Sequence, residues 1–363
     1  MANNGVFKTL DPNRIISEKK VLNESIPVTG TIVKGTYGTF PSETNIKNFT
    51  HEMFQAVYDY PYLSSSANHL LDLTAAQSSD TTGVAATTGL ADKNNIYRSL
   101  SQQYVGYDTN QSPVPWNSSG VLNPDNTWDP DKITNVVVMD FSRVLVKDEI
   151  KKGSFQLTLG TGSFAAPFVG TKTLSDAYVS EGNLSSYKTN SPMGEYAFLQ
   201  LGTGTSPVPT KSDYGFIYYQ AGTVVLINST LTFGTELTSG SAFTITTAQT
   251  PEQAAVSSSI KDIVNGVRAH VQNIQFNNTT ELNSTSYFVN LAPNEFNYSN
   301  NPSFVSGSEI VVKNGLARNP STTYLTTVGL YSADNQLLAV GKLSEPLKKT
   351  PANEISLKMR IDY

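Results

Sequence analysis

The sequence contains no cysteine, few charged residues and no long apolar run, and each absence excludes a class of protein. Without cysteine the chain forms neither disulfides nor thiolate metal sites. Charged residues make up 15% of the 363 residues, against roughly 25% in an average soluble protein. No apolar stretch approaches the roughly 20 residues that a membrane-spanning helix needs, so we expect no membrane association.

The remaining charge is slightly acidic, with a net charge of −5. The densest basic groups are the pairs Lys19-Lys20 and Lys348-Lys349, and neither forms the basic stripe that follows a phosphate backbone. Direct binding to nucleic acid is therefore not expected. The N-terminal residues Met1 to Asn4 lack the charged and apolar regions of a secretory signal, which predicts synthesis in a cytosol.

Ser, Thr, Asn and Gly replace the missing charge, alongside 18 Tyr and 16 Phe. β-branched residues suit pleated strands, while Asn and Gly suit turns. The composition predicts a mainly β protein of antiparallel sheets or sandwiches, with a few short helices and an extended N-terminal arm. Abundant aromatic side chains also favour contacts with other proteins.

The character of the sequence changes three times along the chain, which predicts four regions. Residues 1–44 form an extended arm, and residues 45–132 form a loop-rich region with short helices. Residues 133–249 form a β domain, and residues 250–363 form a helix followed by a C-terminal β domain. The arm buries too little surface to offset its own ordering entropy, so it is either disordered or ordered against a neighbour.

Within the arm, only residues 26–28 and 32–33 indicate short strands. Apolar residues at helical spacing predict a helix over residues 45–58, a further helical turn over 67–73 and a second helix over 91–105.

Strands dominate the predictions after residue 133. The apolar run of residues 136–139 is typical of a buried strand, and residues 216–227 form a hairpin around a glycine turn. A second hairpin is expected over residues 324–343, with a four-residue loop after Tyr331. Strict alternation over residues 355–363 predicts a final strand.

One further helix is predicted between these strands. Thr250 is a good N-cap, Pro251 occupies the first helical position, and Gly266 stands where the helix would end. Alternation from Val267 then predicts a strand, and a change of phase before Ile274 indicates a bulge.

Motifs for chemistry are scarce. There are three histidines, His51, His69 and His270. None has a second histidine at ligand spacing, so a zinc site is not expected, and His51 and His270 are predicted to lie on polar faces. Asp125, Asp129 and Asp131 lack the glycine that a calcium loop requires, which favours a plain polar loop. We therefore expect no catalytic residues, metal or cofactor.

Four segments resemble virion structural proteins of large tailed bacteriophages, mostly those with contractile tails. They are residues 45–67, 138–155, 295–304 and 327–344, of which the last two are the most specific. The resemblance implies a component of the tail, baseplate or neck, with the tail or baseplate region favoured. Such a subunit would bind other phage structural proteins as a homo- or hetero-oligomer, in virions assembled in the host cytoplasm.

This interpretation predicts contact surfaces instead of an active site. The candidate interface residues are aromatic: Phe49, Phe54, Tyr60, Tyr62, Phe296, Tyr298, Phe304 and Tyr331. The alternative is a head-decoration or fibre-type module that binds a receptor or carbohydrate. In that case Trp116 and Trp128, in a loop rich in Pro and Asn, would stack on sugars.

Overall fold

In this computed structural model the described residues are 7–27, 46–58, 67–78, 88–108, 110–120, 131–162, 166–181, 187–227, 258–299, 302–307, 309–310 and 322–363. They confirm the predicted fold class, because strands arranged in antiparallel sheets dominate. The chain divides into two compact units. The larger unit is Leu22–Thr280, and the smaller unit combines Met1–Val21 with Glu281–Tyr363. These units cut across the predicted boundaries at residues 132 and 249.

The strands and helices are numbered along the chain. The strands are β1 (Ile15–Pro27), β2 (Ile46–Asn48), β3 (Gln55–Tyr58), β4 (His69–Gln77), β5 (Asn135–Phe141), β6 (Glu149–Ile150), β7 (Gln156–Gly160), β8 (Thr171–Ser175), β9 (Tyr187–Ser191), β10 (Gly194–Phe198), β11 (Gln200–Leu201), β12 (Gly215–Tyr218), β13 (Thr223–Ile227), β14 (Val271–Leu291), β15 (Val305–Ser306), β16 (Glu309–Ile310), β17 (Thr323–Tyr331), β18 (Leu337–Lys349) and β19 (Ile355–Asp362). The α-helices are α1 (Thr88–Tyr104), α2 (Arg143–Val146) and α3 (Ile260–His270). Short 3-10 helices cover Pro12–Arg14, Pro167–Val169, Ala177–Glu181 and Pro302–Phe304.

The larger unit is built on an eight-stranded antiparallel sheet in the order β2-β3-β4-β5-β13-β12-β10-β9. Both faces of this sheet are buried. Val137 and Met139 belong to one apolar core, while Val136 and Val138 on the opposite face belong to a second. A strand buried on both faces needs an unbroken apolar run, which is why the run at residues 136–139 was predicted correctly.

The two cores of the larger unit have different covers. The first core is closed by α3 together with β7, β8 and the beginning of β14. The second core is closed by α1 and by the loop that carries Val114 and Trp116. The larger unit therefore consists of three layers around its central sheet.

The smaller unit is a thin β structure. Residues Ser284–Leu291 of β14 pair with β19, and β17 pairs with β18 in a separate hairpin. Thr285, near the beginning of this part of β14, also contacts Ser17 of β1 through their hydroxyl groups, 3.2 Å apart. Among the described residues, Leu291 is the only buried large apolar side chain of this unit.

Several sequence predictions are confirmed. The helix over residues 91–105 corresponds to α1, and the two predicted hairpins correspond to β12–β13 and β17–β18. The final strand corresponds to β19. A register shift between Val271 and Asn273 confirms the bulge near the start of β14.

The helical predictions before residue 78 are wrong. Within residues 46–58 and 69–77 the chain forms β2, β3 and β4, because each of these strands pairs with a neighbour in the sheet, and β3 and β4 bury residues on both faces. The prediction for the N-terminal arm is also wrong in part. It contains the 13-residue strand β1, whose described side chains are exposed except that of Ile26. With nothing buried on either face, β1 shows no alternation in its sequence.

The helix predicted from Thr250 to Gly266 is also corrected. Its predicted start lies outside the described residues, and α3 has its own N-cap at Ser259, whose hydroxyl accepts from the Asp262 backbone amide. The helix passes through Gly266 and ends at His270. His270 is buried and lies within hydrogen-bonding distance of the Gly266 carbonyl at 2.7 Å, so its predicted place on a polar face is wrong.

Candidate interaction surface

The hairpin β17–β18 has two faces of different character. On the inner face, Val328 pairs with Gly341 and Leu330 pairs with Ala339, and all four are half-buried. A Cβ on Gly341 would lie 3.7 Å from the Met359 methyl group, so this face packs on β19. Met359 lies on the half-buried side of β19, together with Ile355, Leu357 and Ile361, which alternate with exposed residues.

The outer face of the hairpin is apolar and exposed. It carries Tyr331 opposite Leu337, and Gly329 opposite Val340. Tyr331 is 44% exposed, Leu337 and Val340 are each 52% exposed, and Leu338 is 62% exposed. Four large apolar side chains on two short strand segments are more than isolated surface residues, and contiguous exposed apolar patches mark sites of interaction. We call this set, with Gly329, the outer face.

A bulge shapes this surface. The register skips Leu338, since Leu330 pairs with Ala339 while Tyr331 pairs with Leu337. The extra residue interrupts the alternation of β18, and Leu337 and Leu338 are both exposed. The side chains of Tyr331 and Leu337 fold over Gly329, where a Cβ would lie 2.9 Å from the tyrosine ring. Phe7 packs edge-on against Tyr331 with ring centroids 5.2 Å apart.

Residues 292–299 follow β14 in the same unit, and we call them the clamped loop because Lys349 and Glu295 hold them through hydrogen bonds. The buried ammonium of Lys349 donates to the carbonyls of Pro293 and Thr350 and to Oδ1 of Asn297, at 3.0 to 3.1 Å. Glu295 pairs with Lys8 and accepts from the Ala292 backbone amide. The hydrogen bond from Lys8 lowers the pKa of the Glu295 carboxyl.

This loop presents two of the predicted interface residues. Phe296 is half-buried with a positive φ of 54°, and Tyr298 is 49% exposed. Phe304 lies in the short 3-10 helix Pro302–Phe304 and is half-buried. Together with Tyr331, these residues belong to the smaller unit.

The other predicted interface residues do not belong to this unit. Phe49 and Phe54 lie in the larger unit and pack on each other, with ring centroids 4.5 Å apart and His51 stacked on Phe49. Both phenylalanines are half-buried. Tyr60 and Tyr62 lie outside the described residues. Leu337, Leu338 and Val340 were missed, although two adjacent leucines directly after a predicted turn are a signal that could have found them.

Trp116, a candidate for stacking on sugars, is not accessible to a sugar. Trp116 is buried, its Nε1 donates to the Tyr218 hydroxyl at 3.1 Å, and its ring meets Tyr97 edge-on. The adjacent cavity of about 20 Å³ has room for about one water molecule and none for a sugar. Trp128 lies outside the described residues.

One polar cluster of the larger unit combines a histidine with two carboxylates. A bulge at Leu70 puts His69 beside Asp72, with Nε2 and Oδ1 2.8 Å apart, and Asp72 stands directly opposite Asp140. Burial raises the pKa of Asp140, against the hydrogen bond that it accepts from Thr223. The Thr223 hydroxyl beside Asp140 is fully buried and is also hydrogen-bonded to the Tyr104 hydroxyl at 2.9 Å, so it is not accessible to a substrate. The described part of the chain contains no group of three residues able to hold a metal ion.

Two further acidic residues have structural partners. Asp176 is buried and accepts from the Tyr219 hydroxyl and from the backbone amides of Gly153 and Phe155. Burial raises its pKa to about 6. Asp131 of the suspected calcium loop forms an ion pair with Lys211 at 2.6 Å. Asp125 and Asp129 lie outside the described residues.

A cleft of about 240 Å³ is also present in the smaller unit. Lys8, Leu10, Arg14, Phe288 and Asn290 are among the residues that line it. Sites for small molecules usually have about 300 Å³ or more, so this cleft is smaller than a typical ligand site.

None of the described helices has the length and apolar character to cross a bilayer. No family model matches the sequence, and neither a curated protein nor a solved structure matches the chain.

Proposed function

We propose that this protein is a structural subunit that acts by binding other proteins, and that the outer face of the β17–β18 hairpin is one of its contact surfaces. The observation that carries the proposal is the distribution of exposed apolar side chains. Thirteen of the nineteen exposed large apolar residues in the described chain belong to the smaller unit, although that unit is less than half the size of the larger one.

The energetics favour a covered outer face. Removing apolar surface from water contributes roughly 25 cal/mol per Å², so covering the outer face with a partner is favourable. The inner face of the same hairpin contacts β19 at Met359, and on the outer face Phe7 packs on Tyr331. A partner on the outer face would bury the second side of the hairpin, since a two-stranded hairpin is stable only when it packs against other elements.

We further propose that the assembly is a tailed-phage particle, with the tail or baseplate region as the position. This part of the proposal rests on the resemblance of four sequence segments. Its two most specific segments, residues 295–304 and 327–344, coincide with the clamped loop and with the hairpin that bears the outer face. Binding, and not catalysis, would then be the activity of the chain, with other phage structural proteins as partners.

The test uses particles that carry this chain and two matched triple variants. The polar-face variant changes Leu337→Ser, Leu338→Ser and Val340→Thr. The control variant changes Val144→Thr, Val169→Thr and Leu201→Ser, which are exposed apolar residues of the larger unit. Cosedimentation with particles, together with negative-stain images labelled by an antibody to the chain, measures incorporation.

We expect the polar-face variant to be incorporated at least about tenfold less than the wild type, and the control variant to be incorporated normally. Circular dichroism of both purified variants checks that each is folded. A wild-type chain absent from every particle feature would refute the proposal. Equal incorporation of the two variants would remove the outer face from it.

A further inference from the structure

Residues 7–11 form neither a helix nor a strand, and we call them the strap. A turn separates the strap from β1. Asp11 caps the 3-10 helix Pro12–Arg14, because its carboxylate accepts from the Asn13 backbone amide at 3.0 Å. β1 begins directly after this helix and pairs with β14 in the sheet. The strap is therefore a segment outside the sheet that is joined to a strand within it.

Two consecutive residues of the strap contact two different elements of the smaller unit. Phe7 packs edge-on against Tyr331 of the outer face, with ring centroids 5.2 Å apart. The Lys8 ammonium donates to both carboxylate oxygens of Glu295 in the clamped loop, at 2.6 and 2.5 Å. Because Phe7 and Lys8 are neighbours in sequence, the outer face and the clamped loop meet at the strap. The strap therefore lies at the junction of two elements that carry candidate interface residues.

The contacts of the strap are few and partly exposed. Phe7 is 46% exposed although it packs on Tyr331, and the side chains of Lys8 and Glu295 are 35% and 33% exposed. Strap residues 8–11 and residues 288–290 of β14 line the same cleft of about 240 Å³. A segment packed tightly on β14 would leave no such space.

Contacts of this kind are weak. An edge-on ring pair shifts an equilibrium by about two- to tenfold, and an exposed ion pair shifts it by about fivefold at most. The strap also loses conformational freedom when it is held in one place, which offsets part of this gain. A partner that makes contacts of its own at this junction can therefore displace the strap.

A partner on the outer face competes with Phe7 for the Tyr331 ring. Tyr331 is 44% exposed with Phe7 beside it, and its ring folds over Gly329 in the middle of the outer face. Burying this ring completely requires the place that Phe7 fills, and reaching the Glu295 carboxylate requires the place that Lys8 fills. The bound strap and a partner that spans both elements therefore exclude each other.

We propose that the strap is an autoinhibitory cover of the contact surface, and that a partner displaces Phe7 and Lys8 when it binds. The inference rests on the proposed function and adds how the same surface is regulated. It also names the chemistry of the displacing group, since the strap shows which side chains fit this junction. Such a group has an apolar side chain for Tyr331 next to a Lys or Arg for the Glu295 carboxylate.

The first experiment weakens the two contacts of the strap one at a time. Phe7→Ser removes the ring, and Lys8→Glu places a like charge beside Glu295. We expect each change to lower the protein concentration needed for half-maximal incorporation into particles by about threefold, because the strap then competes less with the partner. Cosedimentation measures that concentration.

Matched changes elsewhere in the smaller unit are the controls. Ile16→Ser changes an exposed apolar residue of β1, and Lys19→Glu changes the ion pair with Glu281. Both should leave incorporation at the wild-type value, and circular dichroism checks that all four variants are folded. Weaker incorporation of Phe7→Ser would mean that Phe7 is itself part of the contact, and unchanged incorporation would mean that Phe7 is no obstacle. Either result overturns the proposal.

The second experiment holds the strap closed. Because the chain contains no cysteine, the double variant Lys8→Cys with Glu295→Cys carries only two thiols. A cross-linker that a reductant cleaves joins the two thiols and keeps the strap at a high effective concentration on the surface. We expect incorporation to fall at least about tenfold and to return after reduction.

The control for the cross-link is the other Lys–Glu pair of the same unit. Lys19→Cys with Glu281→Cys receives the same cross-linker and the same reduction. We expect this variant to be incorporated normally at both steps. An equal fall in the two cross-linked variants, or normal incorporation of the chain with its strap cross-linked, would overturn the proposal.

A dye that binds exposed apolar surface tests the strap without any partner. We expect Phe7→Ser to raise the fluorescence of bound bis-ANS about twofold, and we expect no rise when Phe7→Ser is added to the polar-face variant. Dye binding that Phe7→Ser leaves unchanged would overturn the proposal, whether or not the chain is incorporated into particles.

The two proposals can fail separately. If the wild type is incorporated through its outer face and the strap variants behave like it, only the strap proposal fails. If the wild type is not incorporated at all, the proposed function fails, and a dye-binding rise confined to the intact outer face still supports the strap as a cover of that face.

Discussion

The two units of this chain place their apolar side chains differently. The larger unit buries them on both faces of its central sheet, in two cores that contain all the buried large apolar residues described except Leu291. The smaller unit uses equally long strands, but the outer face of its hairpin and most side chains of β1 face solvent. Most of the stability should therefore come from the larger unit, and under the proposed function the exposed apolar surface of the smaller unit is used for contacts with other proteins.

The largest effect should come from the core of the larger unit. Phe276 is 1% exposed and packs on Phe141 with ring centroids 5.2 Å apart. We expect Phe276→Ala to lower the free energy of unfolding by about 3 to 5 kcal/mol. Leu338→Ala on the outer face should change it by less than about 0.5 kcal/mol. Urea denaturation followed by circular dichroism measures both, and similar losses would erase the contrast between the units.

The next effect is a pH dependence. Burial raises the pKa of Asp176 to about 6 from a usual value of 3.8. Between these values the folded protein holds a proton that the unfolded chain has lost, so this contribution to stability is complete below pH 3.8 and disappears as the pH rises through 6. Two pKa units correspond to about 3 kcal/mol.

Asp176→Asn should remove this slope, and the difference between wild type and variant from pH 4 to pH 7 isolates it, since every other titrating group is common to both. A carboxyl group of the smaller unit contributes to stability with the opposite pH dependence. The hydrogen bond from Lys8 lowers the pKa of Glu295, so its contribution is present at neutral pH and is lost on acidification. Parallel stability curves for wild type and Asp176→Asn would contradict the assignment.

Two glycines allow a smaller, matched comparison. A Cβ on Gly215 of the larger unit would lie 2.2 Å from the Val225 carbonyl oxygen, and its φ is +150°. A Cβ on Gly329 of the outer face would meet only the side chains of Tyr331 and Leu337, which are exposed. We expect Gly215→Ala to cost about 1 to 3 kcal/mol and Gly329→Ala less than about 1 kcal/mol. Thermal unfolding of the two variants measures both losses of stability. Equal losses would mean that the outer face is packed as tightly as the core.

The smallest effect concerns the clamped loop of the smaller unit. Lys349→Met removes three hydrogen bonds to the loop and its surroundings, which should cost about 1 to 2 kcal/mol. Hydrogen exchange at the Ala292 and Glu295 amides should become faster, while amides of β13 in the larger unit stay protected. Lys348→Met is the control, because Lys348 is exposed. Unchanged exchange in Lys349→Met would show that the loop is held by other contacts.

Local signals were sufficient for part of the fold. Three features were predicted because the signal for each is contained in a few consecutive residues. They are the apolar run of β5, the glycine turn between β12 and β13, and the alternation of β19. The segment at residues 45–58 was predicted as a helix because the spacing of its apolar residues fits a helix. Its pairing with Leu71 and Leu73 of β4 could not be read locally.

The candidate surface could be predicted only in part, for a similar reason. Tyr298 and Tyr331 were chosen as aromatic residues in matching segments, and both are exposed. The bulge at Leu338 depends on the register between β17 and β18, which no single strand specifies. Trp116 was placed on a loop, but its burial depends on Tyr97 and on Tyr218, which lies 102 residues away in sequence.

The folding of Tyr331 and Leu337 over Gly329 has a consequence for sequence variation among relatives of this chain. A side chain at position 329 fits only if the tyrosine ring, 2.9 Å from its Cβ, is replaced by something smaller or turned away. Positions 329 and 331 should therefore change together as the sequence diverges, with glycine accompanying a large ring and a larger residue accompanying a small one. In relatives in which positions 329 and 331 no longer change together, we expect the hairpin to lack this exposed apolar surface.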